Sequence, residues 1–173
     1  DVKEQFDQIL LDMKIAHRDV DLALDGADAI PSLTSFDRVI LLMPSLDRLS
    51  THLSDIMSWV SAGGSLMLAM PPDNSSYLQV IASKLGIESA GYDYVKAESI
   101  VPSEDFMLGG GERYELSDPF DSSLSVSLRE TAREWAKTGD AGAPLIWSND
   151  CGSGRTVVCN IGFYDKVMRG FYA

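Results

Sequence analysis

Ser45, Asp73 and Asn74 are the residues of this chain best placed to do chemistry, because each follows an apolar run that reads as a buried β-strand. Val39 to Leu42 stops at Met43-Pro44-Ser45, and Leu66 to Met70 stops at Pro71-Pro72-Asp73. Parallel α/β sheets bind ligands just beyond the carboxyl ends of their strands, so these loops, with Ser75 and Asp25, are where a site is expected. A serine nucleophile needs a base within hydrogen-bond reach. The only histidines are His17, ahead of the first strand, and His52, roughly 85° from the centre of its helix's apolar stripe and part way along that helix. Neither is positioned to serve the strand ends. Ser45, Asp73 and Asn74 therefore stand as candidate ligand-binding residues, and no residue is assigned a catalytic role.

Other chemistries fare no better. Gly109-Gly110-Gly111 precedes Glu112-Arg113-Tyr114-Glu115, which reads as strand, whereas a phosphate cradle needs a helix N-terminus directly after the loop. No Cys/His spacing fits zinc and no acidic loop fits calcium, so neither metal nor cofactor is expected. Cys151 and Cys159 fall on a hairpin formed by Leu145 to Asn149 and Arg155 to Ile161. A turn centred on Gly152-Ser153 places Cys159 opposite Ile146, which predicts two unbridged thiols. Cys159 is expected in the core and Cys151 near the surface, with Arg155 as its one basic neighbour. Trp59 lies about 105° off the apolar stripe of its helix, as an interface residue or a sugar platform would. The plainer expectation for it is an indole folded over the helix edge against the neighbouring loop. Trp135 and Trp147 read as strand packing.

The elements that must position these residues follow from hydrophobic period. The two apolar runs, with a helix between them carrying Leu46, Leu49, Leu53, Ile56, Met57 and Val60 on one face, make a β-α-β unit from Asp37 to Asp73. Ser45 is expected to cap that helix and Gly63-Gly64 to end it. A preceding helix spans about Val2 to Ile15, with Val2, Phe6, Ile9, Leu10 and Met13 inward. Alternation of Val20, Leu22 and Leu24 with aspartates predicts a strand. A third helix, capped by Asp73 or Asn74, carries Tyr77, Val80, Ile81 and Leu85 inward and stops at Gly86. After Gly91 shorter pieces, Tyr92 to Val101, Tyr114 to Leu116, Ser125 to Leu128 and the hairpin, predict an antiparallel extension of a parallel sheet.

Composition narrows the function. At 173 residues and 45% hydrophobic content the chain is sized for one packed domain, 1–173. A net charge of -12 with only 14 Lys plus Arg argues against nucleic acid as a partner, since phosphate contacts need a basic stripe. No apolar run approaches the ~18 residues of a membrane span, and no signal-peptide pattern is present. The chain starts at Asp1 inside a helical pattern and ends at Arg169-Gly170-Phe171-Tyr172-Ala173 inside another, so it is expected to be a fragment of a longer multidomain protein.

Asp37 to Leu42, followed by Ser58-Trp59-Val60-Ser61-Ala62-Gly63-Gly64 and Ser65 to Leu68, resembles the class I glutamine amidotransferase-like superfamily, in which a helix often ends in a "wV-x-x-GG" pattern. Pro144 to Trp147 with Gly152-Ser153-Gly154-Arg155-Thr156-Val157-Val158 is similar to the "G-x-GR-V-V" hairpin of its non-catalytic accessory versions, which accompany carbohydrate-active enzymes. Asn160 through Lys166 to Arg169-Gly170 resembles a bacterial family of unknown function in which this domain precedes a polysaccharide-deacetylase-like region. The superfamily's nucleophile turn carries Met70-Pro71-Pro72-Asp73 here, with no Cys and no matching His-x-Glu, so no catalytic residue carries over.

The resemblance implies a flavodoxin-like three-layer α/β/α domain, with a mainly parallel sheet and a C-terminal antiparallel hairpin extension, placed outside the cytoplasm. Its implied role is that of a non-catalytic accessory or scaffold, positioning an adjacent domain of the same polypeptide or binding polysaccharide. The rival expectation is a hydrolase or carbohydrate deacetylase using the strand ends.

Overall fold

Residues apolar on both faces of a strand suit a covered parallel sheet, and the two runs singled out above are neighbouring parallel strands. The computed structural model describes residues 2–42, 46–69, 75–106 and 110–161. In it β1 (Arg38–Leu42) pairs with β2 (Ser65–Ala69) in the register Val39↔Leu66 to Leu42↔Ala69. The other side of β2 is taken by a strand from far along the chain, β7 (Gly154–Cys159), also parallel. Beyond it the sheet turns antiparallel through β6 (Pro144–Cys151), β5 (Ala132–Thr138), β3 (Ile87–Pro102) and β4 (Tyr114–Leu128), giving the order β1-β2-β7-β6-β5-β3-β4.

This corrects the expected architecture. Two strand pairings are parallel and four are antiparallel, so the sheet is not the mainly parallel one of a flavodoxin-like sandwich. The reason lies in the connections. A parallel neighbour needs a crossover of a dozen residues or more, usually a helix, whereas a short turn joins only antiparallel strands. Between Gly91 and Ile161 the chain offers turns and no further helical period. Among the described residues there are three α-helices: α1 (Val2–Asp12), α2 (Leu53–Ser61) and α3 (Ser76–Ile81). None of them is long and apolar enough to cross a membrane.

Alternation along β2 divides the core. Leu66 and Leu68 pack with Leu46, Leu49, Leu53, Ile56, Met57 and Val60, the predicted stripe, and with Leu78, Ile81 and Leu85 near α3. Met67 and Ala69 point the other way, where Phe6 and Ile9 of α1 cover them. Farther along the same face, Ile100, Ala136, Leu145, Ile146 and Cys159 form a second cluster. Trp147, fully buried, donates from Nε1 to the Leu85 carbonyl at 2.8 Å and so ties β6 to the end of α3.

Helix ends follow local chemistry. Ser75, rather than Asp73 or Asn74, occupies the N-cap of α3, its Oγ accepting from the Leu78 amide at 3.2 Å. Gly86, at φ +75°, ends the following turn as expected, with Ile87 N–H bonded to the Ala82 carbonyl and Gly86 N–H to that of Ser83. The expected strand at Val20 to Leu24 is instead a turn. Asp21 Oδ1 accepts from the Ala23 and Leu24 amides, and its carbonyl accepts from Asp25, so side-chain hydrogen bonding beats apolar alternation and leaves Leu24 84% exposed. Met13 and Val80, expected inward, are exposed.

Candidate functional site

The two motif stretches at 58–64 and 152–158 meet each other. Gly152 and Gly154 bring the β6–β7 turn against the last turn of α2, where an added Cβ at either would strike Ser61 or the Val60 and Gly64 carbonyls. Ser153 N–H donates to the Ser61 carbonyl at 3.0 Å and Arg155 N–H to that of Gly64 at 3.2 Å. Gly64 in turn lies under the Trp59 indole, which is half-buried and packed against the main core. The Trp-Val and Gly-Gly pattern is therefore the signature of a helix end docked on a hairpin. A shallow depression beside it, lined by Gly63, Ser65, Asp150, Gly152 and Arg155, sits at the amino ends of β2 and β7, away from the carboxyl ends where such sheets bind ligands.

Of the candidate ligand-binding residues, Ser45, Asp73 and Asn74 lie outside the described residues. His52 occupies the N-cap position of α2, with no side-chain capping hydrogen bond among the described residues. The hairpin has the register expected of it, with Ile146↔Cys159 paired, and neither cysteine is in a disulfide. Cys151, expected near the surface, is buried, its Sγ 3.3 Å from Ser61 Oγ.

A better-formed cleft of about 190 Å³ lies on the antiparallel side, between the end of β3, β5 and the loop that follows β3. Its walls are Ser103, Glu104, Glu134, Trp135 and Lys137 over a floor that includes Pro102 and Ala136. In a regular strand Glu134 and Trp135 would face opposite ways, but the pairing of β5 with β6 shifts register between Glu134 and Ala136, and both residues line the cleft. Ser103 N–H bonds to the Trp135 carbonyl at 2.7 Å and Gly111 N–H to that of Pro102 at 2.8 Å, fixing the loop against the strands.

Trp135 is held from several sides. Its Nε1 donates to Ser148 Oγ at 2.8 Å, Phe106 leans on it with ring centroids 5.8 Å apart, and the Arg133 guanidinium sits 3.9 Å from its ring centroid. Arg133 is anchored in turn to Asp105 at 2.8 Å. Burial lifts the Glu134 carboxyl above its ordinary range, and Lys137 opposes the shift. Ser103 Oγ is buried with no hydrogen-bond partner among the described residues. An unpaired buried hydroxyl calls for a ligand or water, and an unpaired one is no activated nucleophile. An aromatic wall with two carboxylates, a hydroxyl and an ammonium suits a polyhydroxylated ligand.

The sequence reads Trp135 as strand packing and marks no role for Glu134, Ser103 or Glu104. The register irregularity beside the cleft leaves no local sequence pattern.

The model of the family DUF2194, described as an uncharacterised protein conserved in bacteria, matches residues 1–132. No curated protein matches the sequence. By structure, the chain is similar to part of the exo-β-1,4-mannosidase Op5Man5 from Opitutaceae bacterium strain TAV5, with a TM-score of 0.62, 20% identity, and coverage of 99% of this chain and 27% of that one. The cold-adapted β-galactosidase from Rahnella sp. R3 gives 0.61 and 20%, with 98% and 25% covered. A cytoplasmic protein from Salmonella typhimurium LT2 gives 0.66 and 15%, with 99% and 81% covered. The chain thus spans about a quarter of the two glycosidases, and likeness at these identities shows the fold alone.

Proposed function

The chain belongs to the DUF2194 family, and from that premise we propose that it is a non-catalytic accessory domain of a larger bacterial carbohydrate-active protein, working outside the cytoplasm, with a glycan held at the Trp135 cleft. The observation that carries this reading is that the same fold, over 99% of this chain, makes up 27% of a mannosidase. A module that recurs as a minor part of glycosidases is suited to positioning a neighbouring domain or its substrate. The chemistry of the cleft agrees: its serine hydroxyl has no hydrogen-bond partner among the described residues, while its aromatic and carboxylate groups can hold sugar hydroxyls.

Affinity electrophoresis through gels containing soluble mannan, galactan or chitosan tests the binding arm. One of these polymers is expected to retard the parent chain, and Trp135→Ala to restore free migration. Incubation with the same polymers and their acetylated forms tests the non-catalytic arm. No reducing ends and no acetate are expected above the blank. Repeated turnover by the purified chain would overturn the accessory role and return attention to Ser45, Asp73 and Asn74.

A further inference from the structure

Asp7, His17 and Asp19 converge on the surface beside α1. After α1 the chain reverses through Lys14 at φ +57°, with Ile15 N–H bonded to the Leu10 carbonyl and Lys14 N–H to that of Leu11. This turn returns residues 15–19 to the side of Asp7. His17 Nε2 then lies 3.8 Å from Asp7 Oδ1 and 4.0 Å from Asp19 Oδ1, and one donor atom from each of the three side chains falls within 4.8 Å of the others.

The ring's orientation is informative. His17 Nδ1 is 3.1 Å from the Ile15 carbonyl, which can only accept, so Nδ1 is the donor there and Nε2 is the ring nitrogen turned toward the two carboxylates. Two carboxylates facing each other favour a cation between them. Lys3 supplies one, its ammonium 2.7 Å from Asp7 and 2.9 Å from Asp19. Donation of the second ring N–H to a backbone carbonyl is also how metal-binding histidines are oriented.

We infer that Asp7, His17 and Asp19 form a site for a divalent first-row transition metal, with zinc the best match and the Lys3 ammonium its tethered competitor. Tetrahedral zinc with bonds of about 2.0 to 2.2 Å spaces its ligands about 3.4 Å apart, so His17 Nε2, at 3.8 and 4.0 Å from the two carboxylates, needs to close by about half an ångström, and the carboxylate pair, within 4.8 Å, by at most about 1.4 Å. One imidazole with two carboxylates suits zinc rather than calcium or magnesium, which prefer all-oxygen sets.

Calorimetric titration of the whole chain with zinc chloride, and of a parallel sample with cobalt(II) read by visible absorption, tests this. One saturable site is expected, weakened about tenfold or more by H17Q and by D19N, and tightened about tenfold by K3M, which removes the competitor. Circular dichroism confirms that the exposed-site variants stay folded. Absence of saturable binding to the parent, or binding that survives both H17Q and D19N, would overturn the inference.

Discussion

Two regions of this molecule carry a tryptophan beside glycines, and they are built in opposite ways. Where α2 meets the β6–β7 turn, Trp59 covers Gly64, and Gly152 and Gly154 admit backbone so close that no Cβ fits. Beside β5, Trp135 stands at the wall of an open cleft, braced by Arg133, Phe106 and Ser148. The closed region is specified by short-range sequence, because contact between backbones tolerates only glycine. The open region is specified by a shift in strand register and by a loop pinned across two strands, neither of which leaves a local pattern. A motif can therefore mark where a fold is fastened, while the cleft lies elsewhere.

The largest expected effect tests the closed region. Gly154→Ala, whose methyl would strike the Val60 and Gly64 carbonyls, is expected to cost about 3 kcal/mol of stability in chemical denaturation. An effect below about 1 kcal/mol would mean that the helix end and hairpin part easily. Trp59→Ala removes a half-buried indole from the same junction and is expected to cost about 2 kcal/mol, while leaving any glycan affinity unchanged. Trp135→Ala sharpens the contrast: about 1 kcal/mol of stability, and loss of glycan retention.

Much of the closed half was legible in the residues. Leu53, Ile56, Met57 and Val60 of the stripe lie on α2, with Leu46 and Leu49 packing from the turn before it, and the parallel pair β1 and β2, the stop at Gly86 and the Ile146↔Cys159 register are found. The sheet's overall sense was not legible, because extended residues say nothing of which strand they join, and β3 and β4 are long irregular partners whose pairing depends on distant contacts. β5 is read only as strand packing around Trp135, without bounds, because Ala132 to Thr138 mixes charged and apolar residues without clean alternation. Asp7, His17 and Asp19 span a turn at Lys14 and match no metal-ligand spacing, so only the folded chain brings them together.

The smallest effect is electrostatic. Because burial holds the Glu134 carboxyl above its ordinary range, the folded chain binds that proton more tightly than the unfolded chain. The associated stabilisation is complete below the ordinary carboxylate range and is lost as pH rises through the raised value. Glu134→Gln cannot ionise, and is expected to exceed the parent at neutral pH by about 0.3 kcal/mol, discounted for solvent screening, and to match it in acid. Urea denaturation at both pH values checks this. A variant less stable than the parent at neutral pH would show instead that the Lys137 contact outweighs burial.

Glycan binding is proposed at the open cleft and not at the motif tryptophan. Titration with manno-, galacto- and glucosamine oligosaccharides, followed by intrinsic tryptophan fluorescence in the parent, Trp59→Ala and Trp135→Ala chains, tests it most directly. A saturable change with at least one sugar is predicted in the parent and in Trp59→Ala, and none in Trp135→Ala. No change with any sugar, or a response lost with Trp59 and kept without Trp135, would contradict the account.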